Sequence, residues 1–251
     1  MYFVLLSIVL YTITKYITKR KAMVIVEPRK HKLLKKVIDN FNTQMDSSWD
    51  LYVFHGKSHR DFASSATKSI TKRNVYLFPL DTDNLNADQY NYLLKQASFW
   101  NKVNAEHILV FQTDTAVCGK SVYNINSFLK YPYIGCPFDN TTVGKHPIWN
   151  GYPFYGIGGL SIRKKSFMMD CIRRNPSVED NYAEDIFFSK CVKDSNTKSI
   201  TIDVMNQFCT QHTYTKNSFG AHKVNIDLRE EEKQSFYSFC PEAKILETTS
   251  S

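Results

Sequence analysis

Short, continuously apolar runs alternate along the chain with stretches whose apolar positions recur every three or four residues. This is the pattern of buried strands interleaved with amphipathic helices. Ala22 to Val26 (AMVIV) reads as a strand, and Leu33, Leu34, Val37, Ile38 and Phe41 then share one helix face. LYVF (51–54), stopped by His55-Gly56, and VYLF (75–78), stopped by Pro79, are the next two strands. Asn86 with Gln89 three residues on forms a capping-box start, and Tyr90, Leu93, Leu94 and Ala97 continue at helical spacing. ILVF (108–111) is a fourth strand. The second half is richer in aromatics and turns, with a strand at Leu160–Ile162 and helices over Lys165–Arg174 and Glu184–Lys193. The rhythm predicts an α/β domain, a mainly parallel mixed sheet flanked by helices, with ligands held where loops gather at the carboxyl ends of the strands. That rule singles out Glu27 and Arg29, His55, Asp81 and Asp83, and Gln112 to Thr115.

Composition changes this picture little. At 251 residues, 43% hydrophobic and 22% charged, the chain can close one sizeable core, and with nine glycines, eight prolines and no repeat it is neither collagen-like, solenoid nor wholly disordered. The expected organisation is an apolar and basic segment over 1–21, one domain over 22–240 and a C-terminal tail over 241–251. Net charge is more informative: the formal +8 lies entirely within residues 1–36, which hold nine Lys/Arg and one acid, and the rest of the chain is balanced. A phosphate-backbone binder needs cations along a face or groove, so no nucleic-acid partner is expected. The cluster flanks the apolar stretch Tyr2 to Thr14, which at about 1.5 Å per residue falls short of the ~30 Å hydrocarbon layer. Two readings stay open, membrane contact through residues 2–21 and a helix packed on the domain. The positive flank would keep the body of an inserted chain cytoplasmic, so the location is cytoplasmic or membrane-associated. Six cysteines without C-x-x-C or Cys/His spacing give no zinc site; the even count permits disulfides in a secreted protein, while scattered single cysteines in a chain of this size are more often buried thiols. Asn140-Thr141-Thr142 is a glycosylation sequon, meaningful only for a lumenal body.

No Walker loop, G-x-G-x-x-G, G-x-S-x-G or H-E-x-x-H is present, so the nucleotidase, dehydrogenase, serine-hydrolase and metalloprotease readings lack their signatures. Carboxylates after strands remain. Asp114, in HILVFQTDTAVC, stands where an oxygen ligand can hold a hard divalent cation, although an Asp closing a strand also serves as a turn residue. The literal D-x-D at Asp81-Thr82-Asp83 enters a polar loop leading into a capped helix, and is read as helix-start acids rather than a metal motif.

The series AMVIVEPRKH, WDLYVFHG, HILVFQTDTAVC, YPYIGCPF, YGIGGLSIRKKSFM, AEDIFF and FGAHK, in this order over most of residues 22–224, resembles a family of glycosyltransferase-like domains of unknown function with a GT-A-type fold. The resemblance implies a GT-A-like glycosyltransferase domain, a nucleoside-diphosphate-sugar donor, a glycan or protein hydroxyl acceptor, and Mn²⁺ or Mg²⁺. It makes Asp114 and His222 metal ligands, and Glu27, Arg29, Gln112, Thr113 and Lys223 the donor side. Gln112 fills one of the two positions the family usually gives to acids, leaving cation dependence open. Gly158 and Gly159 would let the backbone approach a sugar ring, and Trp149 would stack on an acceptor. Ile157 stands where the family usually has asparagine. Asp185 would act as general base with Glu184 as helper, which points to inversion and leaves retention open. Two alternatives from other classes are a catalytically weak nucleotide- or glycan-binding module and a membrane-tethered interaction protein.

Overall fold

In the computed structural model, which describes residues 20–138, 155–176, 182–194 and 200–249, the first strand β1 (Lys21–Glu27) lies near the middle of a six-stranded sheet. It pairs in parallel with β2 (Trp49–His55) on one side and β4 (His107–Phe111) on the other, and β2 pairs in parallel with β3 (Val75–Pro79). A further strand, β7 (Ile157–Lys164), runs antiparallel to β4 and carries β6 (Tyr133–Cys136) at the edge, giving the order β3-β2-β1-β4-β7-β6. Residues on both faces of β1 and β4 are buried, which explains why AMVIV and ILVF are continuously apolar.

Helices cover the sheet with the faces the periodicity marks. Among them α1 (Leu34–Gln44) buries Leu34, Val37, Ile38 and Phe41, and Phe41 stacks on Phe111 with ring centroids 4.0 Å apart. After α2 (Arg60–Thr67), α3 (Ala87–Leu94) starts with both halves of the capping box in place: Gln89 N–H donates to Asn86 Oδ1 at 2.8 Å and Asn86 N–H to Gln89 Oε1 at 3.0 Å. Then come α4 (Ala97–Trp100), α5 (Lys165–Arg174) and α6 (Glu184–Asp194), the latter two at the positions the sequence marks. Asp83, of the D-x-D, accepts from Ser58 N–H at 2.7 Å and braces the loop after β2.

A second, small sheet has the order β5-β9-β8, from β5 (Thr115–Val117), β8 (Cys209–Thr210) and β9 (Gly220–His222). It is framed by α7 (Ile202–Phe208), the single turn α8 (Val224–Asp227) and α9 (Glu230–Phe239). The stretch read as a tail is packed: Pro241–Thr249 is a 3-10 helix with Ala243 and Leu246 buried.

The cysteine reading needs correction. All six are paired, Cys118 with Cys240, Cys136 with Cys209 and Cys171 with Cys191. Partners lie 20 to 122 residues apart, so no local spacing announces them. Among the described residues no helix is long and apolar enough to cross a membrane. The apolar N-terminal stretch (2–14), the sequon at 140–142 and Trp149 lie outside the described residues.

Candidate functional site

Strand order sets the place. The chain winds outward from β1 through β2 to β3 and then crosses back to β4 on the other side of β1, so the loops after β1 and β4 diverge and leave a crevice at their carboxyl ends. A cavity of about 320 Å³ opens there. Glu27, Arg29, Gln112, Thr113, Asp114, Gly158, Gly159, Glu184, Asp185, His222 and Lys223 all line it, whereas His55, Asp81, Asp83 and Thr115, which the strand-end rule also singles out, do not.

The small sheet brings the two distant members together. Antiparallel pairing of β5 with β9 sets His222 opposite Thr115, one residue past Asp114, and Lys223 N–H donates to the Asp114 carbonyl at 2.9 Å. His222 Nε2 comes to 3.4 Å from Asp114 Oδ1. Both atoms are buried, and neither has a hydrogen-bond partner. The imidazole's other nitrogen is engaged: His222 Nδ1 lies 2.8 Å from Gln211 Oε1, and Gln211 Nε2 donates to Asp227 Oδ2 at 3.0 Å. The carboxylate thus fixes the amide, and the amide oxygen fixes a proton on Nδ1. In the neutral ring, Nε2 then offers its lone pair toward a carboxylate oxygen. Two acceptors facing each other call for a proton or a cation between them.

Burial works against the Asp114 charge, but with a proton on His222 Nε2 that ring and Lys223 outweigh it and hold the carboxyl below the usual range. Lys223 adopts the left-handed conformation (φ 51°) unusual for a residue with a Cβ, and its ammonium forms no salt bridge among the described residues. Gly159 has no substitute here, because a Cβ would run into His222 Nε2. Among the described residues no cluster of three or more His, Cys, Asp or Glu side chains is arranged to hold an ion. Asp114 and His222 are a pair, and any cation they hold needs further oxygens from ligand or water.

The opposite wall comes from α6. Asp185 receives hydrogen bonds from Gly158 N–H (3.2 Å) and Ile186 N–H (2.8 Å), and burial, with the neighbouring Glu184 charge second, pushes its carboxyl up to about 7. Glu184 is committed elsewhere. Its two oxygens accept from Arg163, with Nη2 at 2.8 Å from Oε1, and both side chains are buried. Arg163 lies against the rings of Tyr133, Phe188 and Trp100. Glu184 is the counter-ion of a buried guanidinium and an electrostatic neighbour of Asp185. At the end of β1, Glu27 makes a two-pronged pair with Arg29, Nε to Oε1 and Nη2 to Oε2 both at 2.8 Å. The Arg29 side chain remains over half exposed at 56% and lines the cavity.

Three residues here escape a sequence reading: Arg163, Gln211 and Asp227. Arg163 leaves one signal, a lone guanidinium in the strand GLSIRK, which demands a buried acid. Gln211 and Asp227 leave none, since their roles depend on β8 lying beside β9. No match was found among curated proteins. Residues 74–222, more than half of the chain and including Asp114, Asp185 and His222, match the family described as "Protein of unknown function (DUF5672)", and the chain belongs to that family.

Proposed function

We propose that the chain is a glycosyltransferase of the GT-A type, moving a sugar from a nucleoside-diphosphate-sugar donor to a hydroxyl acceptor with inversion. The observation that carries this reading is the facing, hydrogen-bond-orphaned pair Asp114 Oδ1 and His222 Nε2 across one small cavity from Asp185. The pair fits a divalent cation: one hard carboxylate oxygen and one oriented imidazole, with room for phosphate oxygens. Held by Asp114 and His222, Mn²⁺ or Mg²⁺ would supply Lewis-acid charge to a departing diphosphate.

The chain's own residues account for the rest. Lys223, on the same wall, adds positive charge that counts most as the diphosphate separates, and Arg29 adds more on the donor side. Gly158 and Gly159 line the cavity, and their lack of a Cβ lets Glu184, Arg163 and His222 lie directly against the backbone there. Asp185, titrating near neutrality, takes the acceptor hydroxyl proton as that oxygen bonds to the anomeric carbon and the bond from carbon to diphosphate oxygen breaks. Two backbone N–H groups hold its carboxylate in place during the transfer.

The test is a melting-temperature panel of nucleoside diphosphates and their sugars, with and without Mn²⁺, followed by donor hydrolysis in wild type, Asp114→Ala and Asp185→Asn. The expectation is a cation-dependent shift with at least one nucleotide, lost in Asp114→Ala, and hydrolysis lost in Asp185→Asn. Binding without turnover, indifferent to Asp185→Asn, would favour the nucleotide- or glycan-binding module. No shift with any nucleotide would overturn the transferase and the nucleotide-binding module.

A further inference from the structure

A second cavity, of about 350 Å³, opens on the far side of Asp185. It shares Ile157, Asp185 and Lys223 with the first, so the carboxylate proposed as base stands on the wall between two chambers. Besides Ala183 and Ile186, its remaining lining has two contrasting sides. One is aromatic: Phe138, partly exposed and with its ring centroid 5.2 Å from that of His212. The other is polar: His212 and Asp227, both partly exposed, with His212 Nδ1 3.6 Å from Asp227 Oδ2. Asp227 Oδ2 is further engaged by Gln211, and among the described residues Oδ1 accepts no hydrogen bond.

We infer that this chamber is the acceptor subsite and that its occupant is a saccharide ring. The inference rests on the transferase reading for the word acceptor, but the chemistry of the pocket stands by itself. A pyranose has a face of polarised C–H groups and an equator of hydroxyls. The first suits the electron-rich face of Phe138, and the second suits a carboxylate oxygen and an imidazole edge, which together accept and donate. The volume lies at the small end of ligand pockets, suited to one ring. An extended peptide bearing Ser or Thr would instead need a groove with strand-like backbone partners.

The fold holds the two sides in register. Phe138 follows the end of β6 and Gln211-His212 follow the end of β8, and the disulfide Cys136–Cys209 joins those strands two residues upstream of Phe138 and of Gln211. One covalent bond therefore fixes the aromatic wall against the polar wall.

The experiment is saturation-transfer NMR on the full chain with a panel of methyl pyranosides (gluco, galacto, manno, xylo) and a Ser/Thr-containing hexapeptide. Wild type is compared with Phe138→Ala, Phe138→Tyr and His212→Ala, and a melting curve checks each variant for folding. At least one pyranoside should bind the wild type through its ring protons. It should bind Phe138→Ala and His212→Ala about tenfold more weakly, and be restored in Phe138→Tyr. Should Phe138→Ala not fold, His212→Ala and Phe138→Tyr decide. The proposal is overturned by a panel in which no pyranoside binds, by binding equal in every folded variant, or by binding of the peptide alone. The nucleotide panel above separates the two readings. Nucleotide binding without pyranoside binding sinks this inference alone, whereas pyranoside binding without nucleotide binding leaves a glycan site and sinks the transferase.

Discussion

Replacing Asp185 by Asn should stabilise the protein while removing its activity, and the stabilisation should grow with pH. The carboxyl lies at about 7 against an ordinary 3.8, burial being the larger cause and the Glu184 charge the next. A carboxyl whose pKa is raised by folding is held protonated in the native state while the unfolded chain releases its proton. Below about pH 4 both states are protonated and the site costs nothing. Between there and pH 7 the cost rises by about 1.4 kcal/mol per unit, and above pH 7 it is constant at roughly 4 kcal/mol. Asparagine carries no charge and escapes this cost. It gives up one of the two backbone hydrogen bonds Asp185 accepts, from Gly158 or Ile186, because its NH₂ group cannot accept, and that loss is about 1 kcal/mol. The net expectation is a variant about as stable as wild type near pH 4.5 and about 2–3 kcal/mol more stable at pH 8. For a chain of this size that is roughly 5–10 °C in melting temperature. Urea melts of both proteins from pH 4.5 to 8.5 check this. A stability difference flat across that range would refute the assignment of the raised carboxyl to Asp185. The same titration should appear in turnover, with activity rising through about pH 7 as the base loses its proton.

Gln211→Leu removes the acceptor of His222 Nδ1–H, and calorimetry should show Mn²⁺-dependent nucleotide affinity falling ten- to a hundredfold while the protein stays folded. Gly159→Ala puts a methyl group against His222 Nε2, so the Mn²⁺-dependent melting shift should vanish in a protein that still melts cooperatively. Reduction of Cys118–Cys240, which closes 122 residues, should cost about 5 kcal/mol on the chain-entropy account, or about 10–20 °C; an unchanged melting temperature with free thiols counted would contradict it. Arg163→Met strands the Glu184 carboxylate and should cost about 3–5 kcal/mol in urea melts, with most of it recovered in Arg163→Met/Glu184→Leu.

The large sheet is legible in the sequence because its central strands are buried on both faces and therefore continuously apolar, as AMVIV and ILVF are, and because Pro79 and Gly56 end their neighbours where they stand. The same rule locates Glu27 and Asp114, since a residue directly after a central parallel strand must lie at the sheet's open end. It has no purchase on the small sheet. Strands of two or three residues carry no period, and β9 is held between β8, from the same half of the chain, and β5, from the other. Yet that sheet builds the most specific feature of the site: pairing of Thr115 with His222 brings the imidazole to Asp114, and pairing of Thr210 with Ala221 brings Gln211 to the imidazole. His222 is reachable beforehand only through the likeness of FGAHK to a family motif, and Gln211 not at all. The cysteines follow the same logic. Cys118 and Cys209 sit at the ends of those short strands, so their partners become apparent only with the pairing, and the bridges then hold in place strands too short to persist on hydrogen bonds alone. The chemistry therefore rests on a large sheet that hydrophobic patterning specifies and a small one that cross-linking secures.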